Sequence, residues 1–580
     1  MLKYHWSLPA RAPEGPSQAG GQPEISPLLA QCLFNRGLSE SETISQFLEP
    51  RLKDLTDPLA LPGLSAAVER LLAARHRGEW VVIFGDYDVD GVSATALLLE
   101  TLGELGWKVK YYLPRRFDEG YGLTREAAEN CLQRFKPDLL VAVDCGSTAV
   151  STIAWARQQG VEVIVLDHHQ VSKPLPEAVA LVNPRLATGQ GNGPGGRQAG
   201  TQELCSAGLA FKLAHALVKR MRQESVEAAL KMDLRNSLDL VALGTVADLV
   251  PITGENRIMV AAGLKRLEST RRAGLVALKE VAQCPSPIGC YETSFQLAPR
   301  LNAAGRMEDA EEALRLLLAP DLQQAEALAR SLDGRNRLRQ QIEREITEEV
   351  IAVVGARFDA ANDFVVVEGR LSWHIGVVGI VAARVLRRFY RPAIILGGEG
   401  EVWRGSGRSI EGFDLAAALR DCADLLLSHG GHAMAAGLSL RHGALDRLRK
   451  RLNELARAAL TPGQLLPCLK LDAAVRLADL TLEQVQQLER LAPCGPGNPA
   501  VQLLVGGLSH QEPPQPMGKE LQHAKFRVTD GEQILEAVWW NCGQAPLPRG
   551  RFDLAVTPLV NEYKGRRKVQ LKILDWRAAD

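Results

Sequence analysis

The chain has no excess of charge: Lys+Arg and Asp+Glu number 68 each. No global field draws a polyanion to it, so any nucleic-acid contact must come from local basic patches. No CxxC pair occurs among its ten cysteines. They read as reduced thiols of a cytosolic protein, not as a disulfide framework or a structural zinc site. The beginning of the chain is dotted with Pro9, Pro13, Pro16, Pro23 and Pro27 and has no apolar signal core, and no apolar run is long enough to span a bilayer. A soluble, cytoplasmic protein is expected. What remains is a chain of 580 residues, 46% of them apolar, too long for one core and rich enough to fill several.

Two motifs dominate. Asp86-Tyr87-Asp88-Val89-Asp90-Gly91 stands directly behind the apolar run 80–84, and Asp167-His168-His169 behind 161–166. Between them, Leu139–Val143 ends in Asp144. Such runs read as buried parallel strands, and in open α/β sheets ligands bind at the carboxyl ends of the strands. One Asp after a strand is usually a helix N-cap. Five or more carboxylates delivered to one end would repel one another unless a cation held them together. Carboxylates mixed with imidazole suit Mn²⁺ or Mg²⁺. Two ions roughly 3.5–4 Å apart can activate a water and neutralise an in-line phosphoryl displacement. Asp144, alone at the end of its strand, is the natural bridge. A Gly91-assisted turn would aim Asp88 and Asp90 at separate ions.

Short amphipathic helices, such as 39–48, fill the first 75 residues. Strand and helix then alternate: helix 93–105, strand 108–113, helix 124–135, helix 148–159, with Gly189–Gly200 as a flexible loop. This is the pattern of a doubly wound parallel sheet. Helical periodicity follows to about 280, and 321–356 reads as one long charged helix. A smaller α/β unit begins at Phe364, with 453–467 as a candidate linker. Strands predominate from 468: 501–505, 524–528, 534–540, 552–557 and 568–574 suit a small C-terminal β-barrel, an OB-fold. In that tail Lys525, Phe526, Trp539, Tyr563, Lys564, Arg566, Arg567 and Lys568 combine cations with rings, as grooves for single strands do, and alternation predicts one of Trp539 and Trp540 inward and the other outward. In the second α/β unit, Gly405–Ser409 is expected to take phosphate through backbone N–H groups and Arg408, and the glycines around Gly431 to let a nucleotide come close.

The motifs together resemble the DHH/DHHA1 phosphoesterase superfamily, named in part for Asp167-His168-His169. The resemblance implies an α/β fold with segments at 1–75 (N-terminal, helical), 76–320 (DHH domain), 321–356 (connecting helix), 357–460 (DHHA1 domain) and 468–580 (OB-fold-like). It adds Asp248, in Thr245–Pro251, as a metal ligand. One ion would be held by Asp88 and Asp144, helped by Asp86, and the other by Asp90, Asp144, His168 and Asp248. Asp167 would orient a histidine, and His169 would face the scissile phosphate. Many members carry a metal-binding His where this chain has Phe84, which leaves the first ion one ligand short unless Asp86 supplies it. By the same resemblance, Arg300, Asn302 and Arg306 in 299–306, and Arg408, Ser409, Gly431 and His432 in the second unit, would hold the substrate.

The order of motifs, from the Arg116–Leu123 loop to the Leu491–Pro499 segment and a barrel-like tail, resembles that of the branch acting on single-stranded DNA. It implies a 5′-to-3′ exonuclease of DNA repair and recombination that releases 5′-mononucleotides. Single-strand selectivity would come from a cleft too narrow for duplex. Single-strand-binding protein and a RecQ-type helicase are the implied partners, and monomer the implied state. The alternatives are a DHH-type phosphodiesterase for short oligonucleotides or cyclic dinucleotides, and a non-catalytic DNA-binding replication scaffold.

Overall fold

A computed structural model describes residues 4–12, 25–115, 118–186, 203–398, 400–518, 520–543 and 545–579. The loop 189–200, and Arg116 and Phe117 of the 116–123 segment, lie outside the described residues. The chain divides into two compact units, one of Arg36–Asn336 with Leu488–Ala500, the other of Met1–Asn35, Arg337–Gln487 and Val501–Asp580. The long helix spans Leu322–Gly355, so its residues fall in both. Among the described residues, no helix is long and apolar enough to cross a membrane.

The first of these units is built on a five-stranded parallel sheet in the order Lys108–Tyr112, Trp80–Gly85, Leu139–Val143, Glu162–Leu166, Ala180–Val182. Val82, Phe84, Leu140, Ala142 and Val165 line a core on one face. Val81, Ile83, Leu139, Val141 and Leu166 join the larger core on the other. Both faces are covered, which is why these strands read as unbroken apolar runs. Phe84 is fully buried, its ring stacked on Tyr112 at 5.4 Å. From Trp80–Gly85 the chain goes first to one neighbour and then crosses back to pair with Leu139–Val143 on the other side. The strand order therefore reverses between these two strands, and their carboxyl ends are where open α/β sheets bind ligands.

In the other unit a five-stranded sheet runs Ser428–His432, Ala435–Arg441, Val402–Arg408, Ala393–Gly397, Val366–Gly369. The expected linker at 453–467 is a correction: the helix Leu445–Ala459 runs through its first half, burying Leu448, Leu452 and Ala456, and a 3₁₀ turn Pro462–Leu465 follows. The tail forms a sheet of six strands, among them Leu503–Met517, His523–Thr529, Ile534–Trp539, Phe552–Tyr563 and Arg566–Ala578, closed into a barrel where the first of these also pairs with Phe552–Tyr563. The short strand His5–Ser7 pairs with Cys468–Lys470, a long-range contact that the Pro-rich start does not announce.

Candidate metal centre

Strand register assembles the site. Gly85 pairs with Val143, Val143 with Leu166 and Leu166 with Val182. The residues that follow, Asp86, Asp144, Asp167 and Asn183, therefore stand in one row at the carboxyl edge, and all four are buried. Asp144 holds a left-handed backbone at φ 65°, a strained conformation of the kind that gathers at functional sites.

Asp88 caps the helix Val89–Glu104, its Oδ1 accepting from the amides of Asp90 (2.9 Å) and Gly91 (3.2 Å). Gly91 does not make a turn: it lies inside the first turn of this helix, where a Cβ would stand 2.7 Å from the Asp86 carbonyl oxygen. Asp90 faces the N-terminus of the helix Ser206–Gln223 and accepts from the amides of Ser206 (2.7 Å) and Ala207 (2.9 Å). These donors and the positive end of the helix dipole fix a carboxylate that burial would otherwise disfavour. The Ser206 hydroxyl donates to Asp144 Oδ1 at 2.9 Å. Gly244 passes so close that a Cβ there would meet Asp90 Oδ1 at 2.8 Å.

Three groups of side chains have ligand atoms within 4.8 Å of one another: Asp86, Asp88 and Asp144; Asp90, His168 and Asp248; and Asp144, His168 and His169. His168 Nε2 lies 3.3 Å from Asp144, 3.5 Å from Asp248 and 3.9 Å from Asp90. Burial pushes the His168 pKa below its ordinary value, toward the neutral form that binds metals. Burial, and then Asp90 and Asp88, push Asp248 up to about 9. Asp248 also sits at the C-terminal, negative end of the helix Leu238–Ala247. Asp90 and Asp144 are raised as well, by burial first and by neighbouring carboxylates after it. These groups cannot all be ionised together unless cations lie among them. Oxygen donors with a neutral imidazole fit two Mn²⁺ or Mg²⁺ ions.

His169 is held differently. Its Nδ1 is 2.8 Å from Asp167 Oδ1, and its amide donates to the same oxygen at 3.1 Å. Burial opposes a charged ring, but Asp167 outweighs it and lifts the His169 pKa to about 9. Asp167 is held below the ordinary carboxylate range despite its burial by His169 and the Ser147 amide. The Tyr121 hydroxyl lies 3.3 Å from His169 Nε2.

In the 299–306 segment, Asn302 Oδ1 accepts from the Val89 amide at 3.1 Å, so it braces the helix that presents Asp90. Arg300 donates to Asp333 (2.9 Å) and to the Gln296 carbonyl (2.5 Å). Arg306 is half-buried near the end of the helix Ala298–Met307.

In the second sheet, His432 pairs with Ala435 and Ala435 with Arg408, so His432 and Arg408 share a row. Gly431, at φ 132°, has no room for a side chain: a Cβ would stand 2.5 Å from the Ala435 carbonyl oxygen. Gly405–Arg408 is a correction. It is the interior of a strand paired on both sides, so its backbone amides belong to the sheet and do not form a phosphate loop. Ser409 is buried, and its hydroxyl donates to the Phe413 carbonyl at 2.7 Å.

In the barrel, Phe526 and Trp539 are buried, which corrects their assignment as DNA-binding rings. Phe526 stacks on His510 at 5.3 Å. Trp540 is the outward member of its pair, 47% exposed. Lys525 and Lys568 both pair with Glu536 (2.7 and 2.8 Å), which leaves them less free charge than their sequence suggests. Tyr563 and Arg566 face each other across a tight hairpin with Lys564 and Gly565 at its tip, both at positive φ. Tyr563 is 67% exposed, with the Lys564 ammonium 5.5 Å from its ring. Arg567 lies 3.8 Å from Glu562.

Sequence reasoning missed Ser206, Ser147, Asn183 and Gly244. Only Asn183 carried a local signal, since it follows an apolar strand as Asp144 and Asp167 do.

A doubly wound sheet that converges carboxylates and one imidazole on a paired-cation site, with a second α/β unit, defines a DHH-type phosphoesterase. Residues 80–245 match the DHH family N-terminal domain, 362–458 the DHHA1 domain and 471–575 the RecJ OB domain. The chain belongs to the RecJ family. It is 36% identical to the single-stranded-DNA-specific exonuclease RecJ of Bacillus subtilis, over 99% of this chain and 71% of that protein. It is 33% identical to that of Escherichia coli, over 95% of this chain and 96% of that protein. The crystal structure of RecJ from Thermus thermophilus in complex with Mn²⁺ superposes with a TM-score of 0.80 at 30% identity, covering 96% of this chain and 76% of that one.

Proposed function

We propose that the protein is a metal-dependent exonuclease specific for single-stranded DNA, working 5′ to 3′ and releasing 5′-mononucleotides in repair and recombination. The observation that carries this reading is Asp144, which groups with Asp86 and Asp88 and stands 3.3 Å from His168, the imidazole that groups with Asp90 and Asp248, in a chain that matches RecJ exonucleases over nearly its whole length. Two Mn²⁺ or Mg²⁺ ions would supply an acidified water and neutralise charge developing at phosphorus. Asp86, Asp88 and Asp144 would hold one ion. Asp90, Asp144, His168 and Asp248 would hold the other. The Ser206 hydroxyl and the 206–207 amides keep Asp144 and Asp90 oriented. His169, charged at neutral pH through Asp167, donates to a phosphate oxygen. Arg306, Arg408, Gly431 and His432 approach the substrate strand. Arg300, Asn302 and Ser409 act through the residues that they hold.

Trp540 and the Tyr563–Arg567 hairpin offer rings and cations to a strand, as single-strand grooves do. The same reading makes the protein a cytoplasmic monomer supplied with substrate by single-strand-binding protein and a RecQ-type helicase, with the segments 1–75, 76–320, 321–356, 357–460 and 468–580 as its parts. The test is digestion of single strands labelled at either end, with Mn²⁺ or Mg²⁺, against duplexes and dinucleotides. Mononucleotides from the 5′ end of long single strands are expected. Faster turnover of dinucleotides than of long strands overturns the reading in favour of a small-substrate phosphodiesterase.

A further inference from the structure

Asp248 is the carboxylate of the site carried at the C-terminal end of a helix. It ends its helix, and the chain then turns through Leu249 at φ 61° to Val250, Pro251 and Ile252. The far end of this turn is fixed by a segment more than two hundred residues further along the chain that counts with the same compact unit. The Ile252 amide donates to the Pro496 carbonyl at 2.7 Å. Gly495 packs so tightly on Ile252 that a Cβ would stand 2.7 Å from its Cγ1. Gly497, at φ 73°, leaves 2.9 Å between such a Cβ and the Pro251 side chain.

The segment is itself held rigid. Asn498 is fully buried and donates to the Leu491 (2.8 Å) and Pro493 (2.9 Å) carbonyls, while its Oδ1 accepts from Arg36 at 2.8 Å. Arg257 is 2% exposed and lies over the Phe47 ring at 3.8 Å. Its guanidinium donates to the Leu491 (3.0 Å), Ala492 (2.8 Å) and Pro493 (3.1 Å) carbonyls, and to that of Phe47 (2.8 Å). A planar fork that satisfies several carbonyls of one short segment sets its shape as a lysine could not. From Arg257 and Asn498 through Gly497 to Pro251, fixed contacts lead to the turn that carries Asp248.

We infer that Leu491–Pro499 is a positioning strap for Asp248, through which Arg257, Asn498 and Gly497 set the affinity of one of the two cations without touching it. This rests on the reading of Asp248 as a ligand. The strap supplies the orientation that Asp248, at the negative end of a helix dipole, does not receive from its own helix.

The experiment is Mn²⁺ titration of the full chain by calorimetry and by electron paramagnetic resonance, with melting of the metal-free protein as control. Wild type takes up two ions, and Asp248→Ala loses or weakens one. Gly497→Ala is expected to weaken that same ion about tenfold, the scale of lost support behind a metal ligand, and to leave the other unchanged. Arg257→Lys, which keeps the charge but not the fork, gives the same selective loss. Added to Asp248→Ala, neither change weakens metal binding further. The strap is overturned if both variants leave the two constants at wild-type values, if they weaken both ions alike, or if their effect persists in full on the Asp248→Ala background. Wild-type binding by Asp248→Ala would instead overturn the ligand assignment.

Discussion

Replacing Asp144 by Asn separates metal binding from folding. Asn tolerates the left-handed backbone at φ 65°, and its amide oxygen still accepts from the Ser206 hydroxyl, 2.9 Å from Oδ1 in the native side chain. The fold and its local contacts therefore survive, and only the charge shared by two ligand groups is lost. The loss of a mere supporting partner behind a ligand costs about 10–100-fold in metal affinity or activity. In the proposed reading Asp144 serves both ions directly, so that range, taken once per ion, is a floor. The expected fall in kcat/KM is about 10²–10⁴-fold, or about 3–5 kcal/mol at 1.36 kcal/mol per decade. The assay is Mn²⁺-dependent release of mononucleotides from end-labelled single strands at saturating metal. Burial and the neighbouring carboxylates hold the Asp144 pKa well above its ordinary value, so the metal-free variant should melt higher than wild type. Activity within threefold of wild type refutes the shared-ligand geometry. Low activity with a lower metal-free melting temperature means that the charge was not the quantity removed.

Asp167→Asn removes the group that holds the His169 pKa above its ordinary value, so the alkaline limb of the pH–rate profile should move to lower pH; an unmoved limb counts against His169 as the charged donor. In the metal-free protein, Asp90, Asp144 and Asp248 bind protons more tightly folded than unfolded. Their contribution is therefore most favourable at acid pH and is lost as pH rises from about 4 toward the folded-state pKa of about 9 for Asp248. Thermal melts between pH 6 and 9 should fall without metal and flatten with Mn²⁺, and a rise with pH in the metal-free series contradicts the site. Trp540→Ala should weaken single-strand binding by about 1–3 kcal/mol with little change in melting, whereas Trp539→Ala should destabilise the barrel by about 3–5 kcal/mol; fluorescence anisotropy and melting curves on the two variants distinguish the surface ring from the core ring.

The parallel sheet and its acidic row were legible because their information is local. The strands Trp80–Gly85, Leu139–Val143, Glu162–Leu166 and Ala180–Val182 are mainly apolar, and each is followed by a polar residue that register places beside the next. Asp248 was reached only by family resemblance, since a carboxylate at the end of a helix looks like any solvated one, and only its nearness to Asp90 and His168 makes it a candidate ligand. Ser206 was not legible at all: its alignment with Asp144 follows from how a helix 62 residues away packs on the sheet. Alternation correctly split Trp539 from Trp540, but it did not place Phe526 inside, because which face of a barrel strand is the interior depends on closure. The basic tail was overstated for a similar reason. Lys525 and Lys568, 43 residues apart, meet at Glu536 across three strands.

Phe84 stands where the resemblance to DHH phosphoesterases implies a metal-binding histidine in many members. Its ring is buried against Tyr112, so nothing at that position reaches a cation. Asp86, two residues on, is in the row with Asp144 and has an oxygen within ligand distance of both Asp88 and Asp144. Exchanging an imidazole for a carboxylate adds one negative charge to the group, which then consists of oxygen donors alone. Such a group attracts a hard dication more strongly when filled and repels itself more when empty. The other group keeps the neutral His168 and so answers more to ligand softness. If Asp86 supplies that ligand, as proposed, the first site keeps its ligand number but changes its character, and the pair of sites is chemically unequal.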